Sequence, residues 1–140
     1  MRTSRHPQST SHHLESRRKP AFALLVIGVA LLAWSAGLHL YLYSYYFHLV
    51  PTIGALFIAQ GVAGTALSCA ILLTRRAVLA LGGAMLLTLT AGALLFSVLF
   101  GLFGYHERMS APYTTESLGI EVAGALVLAA AAALLAGKTS

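Results

Sequence analysis

Charged residues are scarce in this sequence, and their scarcity excludes a soluble globular domain. Only 9% of the 140 residues are charged, 58% are hydrophobic, and the mean hydropathy is +0.79. A soluble domain carries about 25% charged residues because its surface must be hydrated. We therefore expect the chain to dissolve in lipid, and its length indicates one domain.

Motifs of catalysis are missing as well. The sequence has no nucleophile elbow, no P-loop and no glycine-rich dinucleotide turn. Its one cysteine, Cys69, lies in an apolar run and cannot form a disulfide within the chain. A small buried side chain is the expected role of such a cysteine. We predict that the protein is not an enzyme and has no catalytic residue.

The histidines lack the spacing of metal or haem ligands. No HxxxH or HExxH pattern is present, and His106 and Glu107 are sequence neighbours that would point apart on a helix. Haem needs axial histidines that face each other at one depth, whereas His39 and His48 belong to one apolar run and the loop after it. No metal site and no cofactor are predicted.

Basic residues are distributed unevenly between the two sets of loops. Eight of the nine lie before the first apolar run, between the second and third runs, or after the fourth: Arg2, Arg5, Arg17, Arg18, Lys19, Arg75, Arg76 and Lys138. Because basic residues collect on the cytoplasmic side of membrane helices, we predict cytoplasmic N and C termini in a bacterial plasma membrane. Anionic phospholipid is the expected partner of this charge, rather than nucleic acid.

Four apolar runs predict an all-α integral membrane protein. They cover about residues 20–43, 51–73, 77–103 and 118–136. A helix needs about 20 apolar residues to cross the hydrocarbon core of a bilayer, and the runs show no strand-like alternation. Short loops place consecutive helices antiparallel and adjacent. The prediction is an antiparallel four-helix bundle over residues 20–137.

Residues 1–19 precede this bundle and are predicted to be a disordered basic cytoplasmic tail, because they have little apolar surface to bury. The basic flank before the first run also resembles a signal peptide. The apolar core of a signal usually stops at about 7 to 15 residues, whereas this run continues beyond Ala36. Its length favours a membrane span.

Polar and aromatic residues collect at the predicted outer surface, which holds all six tyrosines. Tyrosine prefers the headgroup region, so an aromatic belt explains most of this pattern. An aromatic belt does not explain His39 and Glu121, since ionisable groups within spans usually face the bundle interior and find partners. One hypothesis is a proton or ligand site of His39, Tyr43 and Glu121, with His39 and Glu121 within about 4 Å of each other. The alternative is that Glu121 reaches the headgroup water while His39 faces lipid or a backbone carbonyl. The remaining outer rim contains His48, His106, Glu107 and Glu116.

A sequence resemblance extends over roughly residues 25–136. It rests on His39–Leu40, Val50–Gly54 (VPTIG), Gly101–Tyr105 (GLFGY), Glu107 and Glu121. In this pattern the sequence resembles a group of uncharacterised small four-span membrane proteins of actinobacterial type. The resemblance implies the four-helix fold and brings no activity with it.

Two functions remain open from the sequence. The first is an accessory bundle that binds a lipid, a quinone or a membrane protein partner. The second is a small oligomeric transporter or proton-coupled carrier that uses Glu121 and His39. Five polar residues within the second and third runs distinguish them: Gln60, Thr65, Ser68, Thr88 and Thr90. A continuous stripe with Glu121 would favour transport, whereas scattered positions would indicate hydrogen bonds between helices.

Overall fold

The computed structural model describes residues 9–137, and it confirms the all-α four-helix bundle. The helices are α1 (Ser9–Leu42), α2 (Pro51–Thr74), α3 (Ala77–Phe100) and α4 (Thr114–Ala136), and a π-helix, Tyr43–Phe47, continues α1. Each of the four is long and apolar enough to cross a membrane, α1 through its segment from residue 18 onward. By length and composition the chain is therefore a multi-pass membrane protein.

The helices form a ring in which each contacts the next, and α1 and α4 close it. The contact between α2 and α3 is the smallest of the four neighbouring pairs. We call the half of the bundle that carries both ends of the described chain and the α2–α3 connection the inner half. The outer half carries the π-helix and the loop 101–113. Assignment of the inner half to the cytoplasm stays a prediction.

The ends of three helices differ from the prediction. Helix α1 begins at Ser9, inside the segment 1–19 predicted to be disordered, and Pro20 lies within it; residues 1–8 are outside the described chain. Helix α3 ends at Phe100 because Gly101 has a φ of 80°, a conformation that suits glycine. Helix α4 begins at Thr114, earlier than predicted, with Glu116 in a first turn where the helix dipole favours negative charge.

The inner half has a closely packed apolar core. Its fully buried side chains include Leu32 of α1, Ile71 of α2, Leu87 of α3 and Leu128 of α4. A Cβ added at Gly83 would come within 3.0 Å of Leu128 Cδ1, so this glycine lets the leucine lie close to the α3 backbone. This core leaves no row of polar side chains through the inner half of the described bundle.

The outside of the bundle is apolar, as a lipid-facing surface requires. Large exposed side chains occur on every helix, among them Trp34, Leu73, Leu89 and Leu126. Cys69 is exposed on this surface of α2, and the prediction that it is buried is wrong. Lipid solvates an apolar side chain about as well as a protein core does, so apolar character alone does not indicate which face of a membrane helix is buried.

A candidate ligand site in the outer half

The two ionisable residues predicted from the sequence meet inside the bundle. His39 Nε2 of α1 lies 3.7 Å from Glu121 Oε1 of α4. Their side chains are 7% and 0% exposed, so both face the interior rather than lipid. Glu121 lies seven residues after the start of α4, which places it roughly 10 Å along the helix at about 1.5 Å per residue. The predicted contact is confirmed, while its role in function stays a proposal.

Three further polar side chains surround this pair and were missed as site residues. Ser35 and Ser117 each donate a hydrogen bond to Glu121 Oε1 at 3.4 Å. Gln60 Nε2 donates to Ser35 Oγ at 3.2 Å and so connects α2 to the group. We call Ser35, His39, Gln60, Ser117 and Glu121 the polar cluster. The sequence could have indicated the two serines, because each lies four residues before its ionisable neighbour and so shares its helix face.

The directions of these hydrogen bonds follow from which atoms can donate. His39 Nδ1 lies 2.8 Å from the Ser35 carbonyl oxygen, which can only accept, so Nδ1 carries a proton and Nε2 faces Glu121. The single hydroxyl proton of Ser35 goes to Glu121 Oε1, and its oxygen accepts from the Gln60 amide. Glu121 Oε1 is thus the acceptor on which the cluster converges.

Two oxygens of the polar cluster have no hydrogen-bond partner among the described residues. They are Gln60 Oε1 and Glu121 Oε2, and both are buried. Buried polar atoms in folded proteins are nearly always hydrogen-bonded, because an unmade bond leaves the desolvation of the atom uncompensated. Two such oxygens within one cluster require an explanation beyond the packing of the bundle.

A cavity of about 660 Å³ extends from the polar cluster through the outer half. His39, Gln60, Ser117 and Glu121 form its polar floor, and its walls are mainly apolar residues of α2 and α3. Leu56 and Leu89 line it and are also exposed on the outside of the bundle. The cavity therefore opens towards lipid between α2 and α3, the pair with the smallest contact. We call it the outer cavity.

A row of rings forms one wall of the outer cavity. The His39 ring lies 4.9 Å from Phe57, Phe57 lies 4.5 Å from Phe47, and Phe47 lies 5.4 Å from Tyr105, all measured between centroids. These four residues all line the cavity. The row leads from the polar floor to the outer loop.

The π-helix changes which residues of the tyrosine segment reach the cavity. Leu42 and Phe47 are both buried, although five residues would separate them by about 140° on a regular α-helix. The i to i+5 bonding of a π-helix brings such positions closer together. As a result Tyr46 lines the cavity, whereas the Tyr43 ring packs beside Gly54, within 3.3 Å of a Cβ added there. Tyr43 is not part of the polar cluster, and that part of the prediction is wrong.

The predicted rim residues are scattered around the outer loop. His48 and His106 are exposed, and the His106 ring packs against Gly101. Glu116 accepts a hydrogen bond from Trp34 Nε1 at 3.3 Å on the exposed surface. Only Glu107 lines the outer cavity, near its mouth. Within the described chain, no group of three His, Cys, Asp or Glu side chains is placed to hold a metal ion.

Hydrogen bonds attach the outer loop to the end of α3. Ser97 Oγ donates to the Tyr105 carbonyl oxygen, and the Glu107 amide donates to Ser97 Oγ, both at 3.3 Å. Burial raises the pKa of Tyr105 above its ordinary value of 10.0, and the neighbouring Glu107 carboxylate raises it further. The loop thus holds an aromatic and an acidic residue at the cavity mouth.

The polar residues of α2 and α3 do not form a continuous stripe with Glu121. Thr65, Ser68, Thr88 and Thr90 each donate to the carbonyl oxygen four residues earlier in the same helix, at 2.6 to 2.8 Å. Of these four only Thr90 lines the outer cavity, together with Gln60. The hydroxyls are therefore neither a polar path nor the hydrogen bonds between helices that the sequence suggested.

Comparison with known proteins adds no relative. The predicted resemblance to small four-span proteins of actinobacterial type stays a prediction. No family model, no curated protein and no solved structure matches the chain.

Proposed function

We propose that the protein is a non-enzymatic integral membrane protein that binds a membrane-soluble amphiphilic molecule in the outer cavity. One observation carries this proposal: the cavity has mainly apolar walls and a polar floor in which Gln60 and Glu121 each have an oxygen without a partner. Ligand sites have this composition, with a few polar groups that orient the ligand in an apolar pocket.

The size and depth of the cavity support a small amphiphile. Its volume of about 660 Å³ lies within the range of roughly 300 to 1,000 Å³ that is usual for small-molecule sites. An ionisable residue inside a membrane span is costly and marks function more often than structure. A polar head bound at the cluster would supply the missing hydrogen bonds, and an apolar tail would remain in the lipid between α2 and α3.

The same geometry supports binding over transport. A polar path would have to continue from Glu121 through the inner half, where Leu32, Ile71, Leu87 and Leu128 are fully buried and packed together. The serine and threonine hydroxyls of α2 and α3 are bonded within their own helices. We therefore favour a binding or accessory role in a bacterial membrane over the alternative of a proton-coupled carrier.

The test compares a cavity-filling variant with a matched surface variant. Ala63→Phe places a ring in the outer cavity, whereas Ala66→Phe places the same ring on the exposed surface of α2. Wild type and both variants are purified in native-membrane particles, and the bound molecules are extracted and identified by mass spectrometry. We expect one species to accompany wild type and Ala66→Phe and to be lost from Ala63→Phe. Equal recovery from all three would contradict the proposal, as would a partner protein that alone accounts for the difference.

A further inference from the structure

The polar cluster also indicates the chemistry of the ligand. We propose that the outer cavity takes a neutral aromatic alcohol, a phenol or hydroquinone with an apolar tail, whose hydroxyl binds Gln60 Oε1 and Glu121 Oε2. This inference rests on the proposed binding function and adds the ligand class.

The ligand head must donate a hydrogen bond. Gln60 uses its amide nitrogen on Ser35 Oγ, so the atom left without a partner is its carbonyl oxygen, which only accepts. The other such atom, Glu121 Oε2, accepts as part of a carboxylate and donates if it carries the proton. When Glu121 carries the proton, one hydroxyl satisfies both atoms, because its oxygen accepts from Glu121 Oε2 and its own proton goes to Gln60 Oε1. A ketone, ester or ether oxygen leaves the Gln60 oxygen without a donor.

The ligand head must also be neutral. His39 Nε2 and Glu121 Oε1 are 3.7 Å apart, and one proton between them gives a total charge of zero whether it lies on the imidazole or on the carboxyl group. An ammonium head would therefore bring an uncompensated charge into a cavity with mainly apolar walls, which is strongly unfavourable. A pair that holds this one proton is already balanced and needs a donor without charge.

The ring wall favours an aromatic head over an aliphatic alcohol. His39, Phe57, Phe47 and Tyr105 present successive rings along one side of the cavity, with centroids 4.5 to 5.4 Å apart. Aromatic pairs at such separations are stabilised beyond the area they bury. A flat ring can pack on this wall while its hydroxyl reaches the floor. Its tail would pass between Leu56 and Leu89, where the cavity opens at the bundle surface.

The experiment uses probes that differ only in the head. Binding of para-decylphenol, its methyl ether and decylammonium to the purified wild-type protein in lipid nanodiscs is measured by equilibrium titration. We expect the phenol to bind about tenfold or more tightly than the ether, the ratio that one unsatisfied buried acceptor produces. Equal binding of phenol and ether, tighter binding of decylammonium, or no binding of the phenol would each overturn the inference.

Two variants test whether Gln60 is responsible for the tighter binding of the phenol than of the ether. Gln60→Leu removes the obligatory acceptor and should bring the phenol-to-ether ratio close to one, whereas Ala66→Phe should leave the ratio unchanged. An unchanged ratio in folded Gln60→Leu would overturn the inference. The comparison of probes on wild type does not depend on how a variant folds.

If the ether and the phenol bind equally and both are lost from Ala63→Phe, the ligand class is wrong while the binding function stands. If Ala63→Phe changes neither binding nor the recovered species, the binding function itself is wrong.

Discussion

His39 Nε2 lies 3.7 Å from Glu121 Oε1, and this contact joins the first and last helices of the ring. Ser35, Gln60 and Ser117 surround this pair with polar side chains. The outer cavity begins beside the pair, and the apolar core of the inner half begins on its other side. The pair therefore lies where the closing helices, the cavity floor and the apolar core meet.

A double-mutant cycle tests whether the pair stabilises the bundle. His39→Leu and Glu121→Gln are made singly and together, and the free energy of unfolding is measured by reversible unfolding in mixed micelles. Because the two side chains are in contact and buried, we expect a coupling of about 0.5 to 3 kcal/mol. Changes that add to within about 0.3 to 0.5 kcal/mol would show that the two groups act independently.

Alanine should lower the free energy of unfolding at a glycine in a helix contact and raise it at a glycine on the exposed surface. A Cβ added at Gly61 would overlap the Leu40 side chain and come within 3.3 Å of the Ala36 carbonyl oxygen. We expect Gly61→Ala to destabilise the α1–α2 contact by about 1 to 3 kcal/mol, as overpacking does. Gly119 has nothing within 4 Å of an added Cβ, so Gly119→Ala should stabilise α4 by about 0.5 to 1 kcal/mol. Both are measured by the same unfolding assay, and equal signs would contradict the packing described.

Tyr105 should titrate above the ordinary range of tyrosine. Burial and the Glu107 carboxylate raise its pKa, so the fold favours the neutral phenol. The contribution of Tyr105 to stability is then complete below the unfolded pKa of about 10 and is lost as the pH rises through the folded pKa. The difference in phenolate absorbance between wild type and Tyr105→Phe measures the titration. Glu107→Gln should lower the pKa of Tyr105, and an unchanged titration would show that Glu107 does not act on it.

The orientation of the bundle can be measured directly. Eight of nine basic residues lie on the side predicted to be cytoplasmic, and basic loops remain on that side during insertion. A reporter that is active only outside the cytoplasm, fused after Lys138, should be silent, whereas the same reporter in the loop 101–113 should be active. Activity of the fusion after Lys138 would mean that the first helix is cleaved or that the bundle is inverted.

The sequence was sufficient for the four spans because their length and lack of charge are visible in any window of about 20 residues. The meeting of His39 and Glu121 was one of two arrangements that the sequence left open, since ionisable groups within spans tend to find partners but a carboxylate near the helix end can also reach headgroup water. The helix ends were less predictable. Glycine at 101 ends α3 three residues before the apolar character is lost.

Neither the position of Tyr43 nor the cavity could be predicted from the sequence, for physical reasons. The spacing of His39, Tyr43 and Tyr46 assumes a regular α-helix, and the π-helix at Tyr43–Phe47 changes that register. The outer cavity lies between α2 and α3, which make the smallest contact of the four neighbouring pairs. Their apolar residues are suitable both for contact with each other and for contact with lipid, so composition does not distinguish the two arrangements.

A crystal structure of the wild-type protein grown from a lipidic mesophase tests the central claim most directly, because it shows what occupies the outer cavity. We expect elongated density with one end within about 3.2 Å of Gln60 Oε1 and Glu121 Oε2, the usual limit of a hydrogen bond. The other end should leave the bundle between Leu56 and Leu89. Closure of α2 against α3 with no cavity, or a side chain of a second copy in contact with Gln60 and Glu121, would contradict the claim that this bundle binds a small amphiphile.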